Sequence, residues 1–456
     1  MFVLSINKIK NKVSGFKNSQ NSASRIGRSA AWTFVGFGGS MFLRMVSSLI
    51  LTRIFMPEIF GLMAIISAIT IGIALFSDFG ISTSIIQNPK GREIGFLKTA
   101  WTLQVMRGFI LWGGVSLLST PLASLYGEAE LKYILPVIGF SFVIAGFTST
   151  SIPLHQKDLK IKPIVILELF SQLLTLIFTI LLAMVYKNIW AFVFSGLISA
   201  LIKLIGSYLI KGGVVGFKWQ RSTVSEMVRF GKWIFIATIF TFLVGKGDRL
   251  LLGTVISKSE LGLYNLAALF SQIALGLLSA LISKTIMPAI ASVADNERQQ
   301  LSLKFNKVRI YILSALIPLV VFIAITGDLI IKLLYEQPYY NAGWMLQVLS
   351  AGMVVRILCM TISPIFLSKG DSFFHMLSYA AWSIIFILSM LLGYYFYGLA
   401  GVIFGVSFAP IIWLPIIYCL AKKYVDLDCR LDVLIALGTG LLICCFWWFF
   451  GLNINI

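Results

Sequence analysis

Continuous apolar runs of about 20 residues recur along the chain, and short polar stretches that hold most of the charge separate them. In hydrocarbon every backbone donor and acceptor must be satisfied within the protein, so only helices and closed barrels can span a membrane. Barrel strands would alternate apolar and polar positions; these runs do not alternate. They predict membrane-spanning helices over 30–52, 58–77, 99–120, 133–153, 163–186 and 189–210, then over 230–252, 260–283, 308–327, 342–367, 374–396 and 398–420, with one more over 431–450. The expected fold is an all-α polytopic membrane protein.

The twelve leading spans fall into two sets of six, and a short repeat marks the division. Leu51–Leu62 joins the first two spans, and Leu252–Leu263 joins the seventh and eighth. Apolar positions, a polar turn and a Gly-Leu pair (Gly61 and Leu62, Gly262 and Leu263) match at a constant offset. Two similar turns arising by chance is the competing reading. Six is even, so the halves share one sidedness, as lobes related by a pseudo-two-fold along the membrane normal. The expected organisation is a basic N-terminal segment over 1–29, a first lobe over 30–210 and a linker over 211–229. A second lobe over 230–420 and a loop with one extra helix over 421–456 complete it.

Composition agrees with lipid as the solvent. The chain is 58% apolar and only 12% charged, against about 25% charged in a soluble domain, and its mean hydropathy is +0.93. The net charge of +19 would suggest nucleic acid in a soluble protein; here it reads as the positive-inside bias. With the N-terminus in the cytoplasm, about 26 of the 37 Lys and Arg fall in inner segments and about five in outer loops. The inner loops near 211–229 and 284–307 read as amphipathic, basic segments on the cytoplasmic leaflet. Trp447 and Trp448 suit an aromatic belt at the outer face. The five cysteines show no metal-site spacing and read as small buried hydrophobes, and no cleaved signal peptide is expected.

With Lys232 and Arg309, at the inner ends of their spans, counted among the inner-loop charges, six basic residues fall inside spans: Arg44, Arg107, Lys203, Lys246, Arg249 and Arg356. Each intramembrane charge costs about 2.5–3.5 kcal/mol on insertion scales. Arg44, Arg107 and Arg356 should therefore face a wet or protein-lined interior, where a planar guanidinium suits a phosphate; structural pairing or snorkelling is the competing reading. Lys203 lies near an inner span end and is expected to snorkel. Lys246, Asp248 and Arg249 cluster in the seventh span, either as a local ion pair or as a substrate and coupling site. Carboxylates in or near spans are few. Asp78, Glu168 and Asp248 are the candidates for coupling to protons or sodium, with Glu168 first. His155 and His375, at inner ends, read as solvated or capping residues.

Several functions are excluded. No G-x-x-x-x-G-K-[ST] loop is present, so the chain carries no ATPase of its own. No sizeable soluble domain is present for a glycosyltransferase, and no exposed loop carries paired carboxylates or a nucleophile for a membrane enzyme. A purely structural scaffold would leave the intramembrane arginines without a reason. No metal site and no cofactor are expected.

The segment Ser77–Gln87, the stretch from Ala31 and Trp32 onward, and Asp248–Gly253 with Leu261–Asn265 resemble the Wzx-type polysaccharide-export flippases. That superfamily also holds the MATE drug exporters and the lipid II flippase. The resemblance implies that the chain turns an undecaprenyl-pyrophosphate-linked oligosaccharide from the cytoplasmic to the outer leaflet. Arg44, Arg107, Arg356, Arg249 and Lys246 would then hold the pyrophosphate. The implied partners are the lipid-linked oligosaccharide, membrane lipids, and a polysaccharide polymerase and chain-length regulator, with no nucleic acid; the unit would be a monomer in a bacterial inner membrane. The alternative is a cation-coupled small-molecule exporter of the same fold, whose cavity should be acidic. One departure stands out: the family commonly has fourteen spans, and this chain shows thirteen, which leaves the side of its C-terminus open.

Overall fold

A computed structural model describes residues 28–29, 31–76, 80–282, 286, 290, 298–369 and 371–450. Among these residues all regular structure is helical. The first half holds α1 (Ala31–Leu51), α2 (Pro57–Phe76), α3 (Ile81–Gln87), α4 (Ile94–Leu125), α5 (Leu131–Gly146), α6 (Ser151–Lys157), α7 (Ile161–Val185) and α8 (Trp190–Leu209). The second holds α9 (Arg221–Val255), α10 (Lys258–Ser271), α11 (Ile273–Leu281), α12 (Arg298–Leu334), α13 (Ala342–Ile362), α14 (Pro364–Ser368) and α15 (Ser372–Ala421), followed by α16 (Cys429–Phe450).

Ten helices among the described residues are long and apolar enough to cross a membrane, and α5 with α6, bent by 60°, makes an eleventh. A straight α15 of 50 residues would run about 75 Å, more than twice the hydrocarbon thickness of about 30 Å. It does not run straight. Gly398 has φ 54° and ψ −136°, a conformation open to glycine. Beyond it the chain doubles back, so that a Cβ on Gly405 would lie 2.3 Å from the Ser389 carbonyl oxygen. Residues 16 apart on one straight helix would be about 24 Å apart, so α15 is two antiparallel arms. Counting both arms and adding α9 gives thirteen, the number that the apolar runs predict.

Within the first half α4 packs on α5, α5 on α8, and α7 on α8; within the second, α12 packs on α13 and α13 on α15. The halves meet where α2 lies against α9 and α10. α16 leans on α12 and α13, outside the twelve. Most basic residues gather at one end of the bundle, here termed the basic end; the turns before α2 and α10 lie at the opposite end.

Those two turns are built alike. Pro57 opens α2, and its fixed φ suits a first helical turn. Lys258, at the matching position, opens α10 behind a capping box: the Ser257 hydroxyl accepts from the Glu260 amide, and the Glu260 carboxylate accepts from the Ser257 amide.

Two expectations are corrected. The linker is not an amphipathic helix on a leaflet. Residues 211–220 form an extended strap tied to the first half by Thr150 Oγ1 donating to the Val214 carbonyl (2.8 Å) and by the Lys218 amide donating to Thr102 Oγ1 (3.0 Å). From Arg221 the chain runs as one helix through Val255: no proline interrupts it, and the single glycine at the step, Gly231, costs a helix only about 1 kcal/mol. Only Cys359 is buried; Cys419, Cys429, Cys444 and Cys445 are exposed, since α16 and the second arm of α15 lie at the periphery. The amphipathic reading of 284–297 lies almost wholly outside the described residues, as does the basic segment over 1–27.

Candidate functional site

Between the halves lies a cavity of about 620 Å³. Each lining helix contributes one stripe, at the i, i+3, i+4 spacing that places residues on a single face. α1 gives Arg44, Ser47 and Ser48, with Thr52 just past its end; α7 gives Gln172, Thr175 and Thr179; α8 gives Phe192, Ser195 and Ser199. The second half adds Lys246 and Arg249 from α9, Asn265 and Gln272 from α10, and Tyr339 from the 3-10 turn Gln337–Tyr339. Polar stripes thus run along the wall among apolar residues such as Met41, Phe60, Met63 and Leu266.

Its charge is one-sided. Arg44, Lys246 and Arg249 line it, and among the described residues no carboxylate does. Lys246 lies within electrostatic range of both Arg44 and Arg249. Arg44 and Lys246 make no hydrogen bond or ion pair with any described residue. Arg249 has Asp248 as its counter-charge, but Arg44 and Lys246 have none among the described residues; cations left so in a membrane interior are costly, and an anionic ligand would relieve that cost.

Arg249 is held in place from behind. It is 5% exposed, as is Asp248. Its Nη1 donates to Asp248 Oδ1 at 3.0 Å, and its Nε donates to Asn265 Oδ1 at 3.0 Å. Tyr264 donates to Asp248 Oδ2 at 2.8 Å. Among the described residues nothing bonds Nη2, so one edge of the guanidinium is left for a ligand. Asp248 therefore sits behind Arg249 and not on the wall, and the ion pair and the substrate role weighed as alternatives coexist.

The remaining candidates separate. Arg107 does not reach the cavity: it donates to the Ala74 carbonyl oxygen at 2.6 Å, bracing α4 against α2. Arg356 does not line it either. α13 is enclosed within the second half, and this arginine lies over the Trp382 ring, 5.6 Å from the centroid, with Asp248 in electrostatic range. Glu168 is exposed on α7, one turn before Gln172, and is not part of the wall. Asp78 lies outside the described residues. No cluster of metal-ligating side chains occurs among the described residues.

Charge counting along spans could not reach two features. Neutral polar stripes such as Gln172, Thr175 and Thr179 are helically spaced polar positions in the sequence but carry no charge to count. Arg309, counted as an inner-loop charge, is 3% exposed and pairs with Asp432, itself fully buried at the start of α16.

The end away from the basic residues is sealed. A Cβ on Gly61 would lie 1.9 Å from the Lys258 carbonyl oxygen, and one on Gly262 would lie 2.0 Å from that of Pro57. Tyr339 donates to the Phe55 carbonyl at 2.6 Å, Ser48 and Tyr335 share a hydrogen bond of 3.1 Å, and Lys258 pairs with Glu128.

Comparisons with known proteins agree with this geometry. The family model described as "Polysaccharide biosynthesis protein" matches residues 50–343. Lipopolysaccharide biosynthesis protein WzxC of Escherichia coli (strain K12) is 24% identical over 74% of this chain and 68% of its own length. Succinoglycan biosynthesis transport protein ExoT of Rhizobium meliloti (strain 1021) is 20% identical over 62% of this chain and 58% of its own. Among solved structures, the lipid II flippase MurJ in an inward closed conformation superposes with a TM-score of 0.72 at 15% identity, over 91% of both chains. An inward-facing MATE family multidrug transporter of the MOP superfamily gives 0.63 at 13% identity, over 90% of this chain and 95% of its own. The fold is shared with both.

Proposed function

The chain belongs to the polysaccharide biosynthesis protein family, and from that premise we propose that it is a flippase rather than an enzyme. It turns a lipid-linked oligosaccharide repeat unit, carried on undecaprenyl pyrophosphate, from the cytoplasmic to the outer leaflet of a bacterial cell membrane. The observation that carries this reading is a wall with three cations and, among the described residues, no carboxylate. A diphosphate brings two or more negative charges and acceptor-only oxygens, which Arg44, Lys246 and Arg249 complement as donors. The cation-exporting alternative needs the opposite charge.

The basic end is cytoplasmic on this reading, by the positive-inside rule, with the N-terminus inside. The sealed end then faces outward, and the conformer is an inward one of an alternating-access cycle. Lobes 30–210 and 230–420 rock about the cavity. Moving an anion outward across a membrane that is negative inside gains about 2.3 kcal/mol per charge per 100 mV. Asp248 is the carboxylate placed to couple a proton or sodium ion, because substrate phosphate would compete with it for Arg249. A polysaccharide polymerase and a chain-length regulator receive the product, and the working unit is a single chain.

The test is Arg44→Gln in cells that depend on this protein. Surface polysaccharide should be lost while the protein stays in the membrane at normal level, and the lipid-linked repeat unit should accumulate on the cytoplasmic side. Normal export by that variant would sink the anion-cavity reading.

A further inference from the structure

The same cavity carries a second chemistry, on the stripes of α7 and α8. Gln172, Thr175, Thr179, Ser195 and Ser199 line it, and none is charged. Three of their hydroxyl protons are already committed to the helices. Thr175 Oγ1 donates to the Ser171 carbonyl at 2.6 Å, Thr179 Oγ1 to the Thr175 carbonyl at 2.7 Å, and Ser195 Oγ to the Phe192 carbonyl at 3.0 Å. A hydroxyl has one proton and two lone pairs, so these groups turn acceptors toward the cavity.

That polarity selects its ligand. Phosphate and carboxylate oxygens accept and do not donate, so Thr175, Thr179 and Ser195 offer them no proton. A ligand segment that fits must bring its own O–H or N–H donors and no negative charge, which describes the hydroxyls and acetamides of neutral sugars. Aromatic faces lie alongside. The Phe60 and Phe192 rings are 6.0 Å apart, and Tyr339 lies 6.0 Å from Phe60 on another side. Such rings cover the C–H faces of a pyranose. The cavity therefore sets the cationic donors Arg44, Lys246 and Arg249 on α1 and α9 against the acceptors Thr175, Thr179 and Ser195 on α7 and α8.

The geometry points to a neutral-sugar subsite on α7 and α8, in which Thr175, Thr179 and Ser195 seat the sugars next to the diphosphate. This rests on the transport reading above and sharpens it: the reducing-end sugars of the repeat unit are uncharged, and acidic sugars, where present, lie farther out.

The test is direct binding to purified full-length protein in lipid nanodiscs. The probes are farnesyl diphosphate, the same diphosphate carrying glucose, galactose or N-acetylglucosamine, and the same carrying glucuronic acid. At least one neutral glycosyl probe should bind roughly tenfold tighter than the bare diphosphate, the scale of one or two net hydrogen bonds, and the glucuronyl probe should show no gain. Thr175→Val with Thr179→Val, which keeps shape and removes both hydroxyls, should erase the gain and leave bare diphosphate binding unchanged. Thr175→Ser with Thr179→Ser should retain it. A gain that survives the valine pair, an equal loss for the bare diphosphate, or an equal gain for the glucuronyl probe overturns the subsite. Wild-type protein that binds no diphosphate probe overturns instead the transport reading on which the subsite rests.

Discussion

Gly61 and Gly262 occupy equivalent positions in the two halves, and each lets its helix press on the first turn of the other. A Cβ on Gly61 would lie 1.9 Å from the carbonyl oxygen of Lys258, and one on Gly262 would lie 2.0 Å from that of Pro57 and 3.1 Å from the Gly61 amide nitrogen. Pro57 and Lys258 are themselves equivalent, so the contact is reciprocal and closes one end of the cavity. Backbone against backbone leaves no flexible side chain to give way. Gly61→Ala or Gly262→Ala should therefore shift the population toward a state open at that end. Spin labels at Met56→Cys and Thr254→Cys, both exposed, would read the separation by pulsed dipolar spectroscopy. The expectation is a distance distribution moved outward by several ångströms; an unchanged one would show that the turns do not gate the cavity.

The repeat and the spans were legible because they rest on one-dimensional signals. Apolar run length locates helices in a bilayer, and a constant offset between Gly-Leu pairs reveals the halves. Facing was less legible. Arg44, Arg107 and Arg356 looked alike along the chain, yet one lines the cavity, one braces α2 and one lies over Trp382. Which way a residue points depends on the rotation of its helix, and neighbours set that rotation. Arg309 was misplaced for the converse reason: its partner Asp432 is distant in sequence, so its burial could not be foreseen from the local pattern. The cysteines were misread because an apolar residue facing lipid and one facing a core look the same in sequence.

Arg309 and Asp432 fasten α16 to the second half. Arg309 also donates to Thr361 Oγ1 at 2.9 Å and to the Leu358 carbonyl at 3.2 Å, and Tyr418 donates to the Asp432 carboxylate. Removing one partner strands a buried charge, which costs about 3–5 kcal/mol, whereas replacing both with apolar residues is often neutral. Asp432→Leu alone should lower the melting temperature in detergent sharply. The pair Arg309→Met with Asp432→Leu should recover most of the loss. Equal destabilisation by the single and double variants would show that the pair does not act as a unit.

Arg107 and Arg44 should respond differently to the same substitution. Arg107→Gln removes a hydrogen bond from a charged donor to the Ala74 carbonyl, worth about 1.5–3 kcal/mol, and should reduce the amount of folded protein. The protein that remains should transport at the wild-type rate per molecule. Arg44→Gln should do the reverse, with normal protein and no transport. Quantitative immunoblotting beside an export assay separates the two.

At the basic end, Asp371 caps α15 by accepting from the Phe374 amide at 3.1 Å and also accepts from the Tyr424 hydroxyl. The Tyr424 hydrogen bond, then that of Phe374, hold its carboxyl below the usual carboxylate range. A depressed value in the folded state means that this stabilisation is complete above the unfolded value of about 3.9 and is lost as pH falls through the folded one. Melting temperature should thus be insensitive to Asp371 between pH 5 and 8 and fall in stronger acid. Asp371→Asn, which cannot be protonated there, should show a shallower acid decline; an identical decline would remove Asp371 from the acid response.

Asp248 and Arg249 supply the last prediction, because their pairing ties ligand binding to a carboxylate. A diphosphate that draws on Arg249 weakens its bond to Asp248, and the carboxylate then needs another cation or a proton, with Tyr264 already donating to it. Coupling of that kind requires the negative charge and not only the shape. Asp248→Asn keeps the shape and should leave Arg249 freer to hold phosphate, so a diphosphate probe should bind at least as tightly as to wild type. Transport into vesicles by the variant should lose its response to an imposed proton or sodium gradient while keeping its response to membrane potential. Tyr264→Phe should weaken the gradient response without abolishing it, since it removes one donor and leaves the charge. An Asp248→Asn variant that still follows the gradient would move the coupling site to another carboxylate, with Glu168 on α7 the next to test.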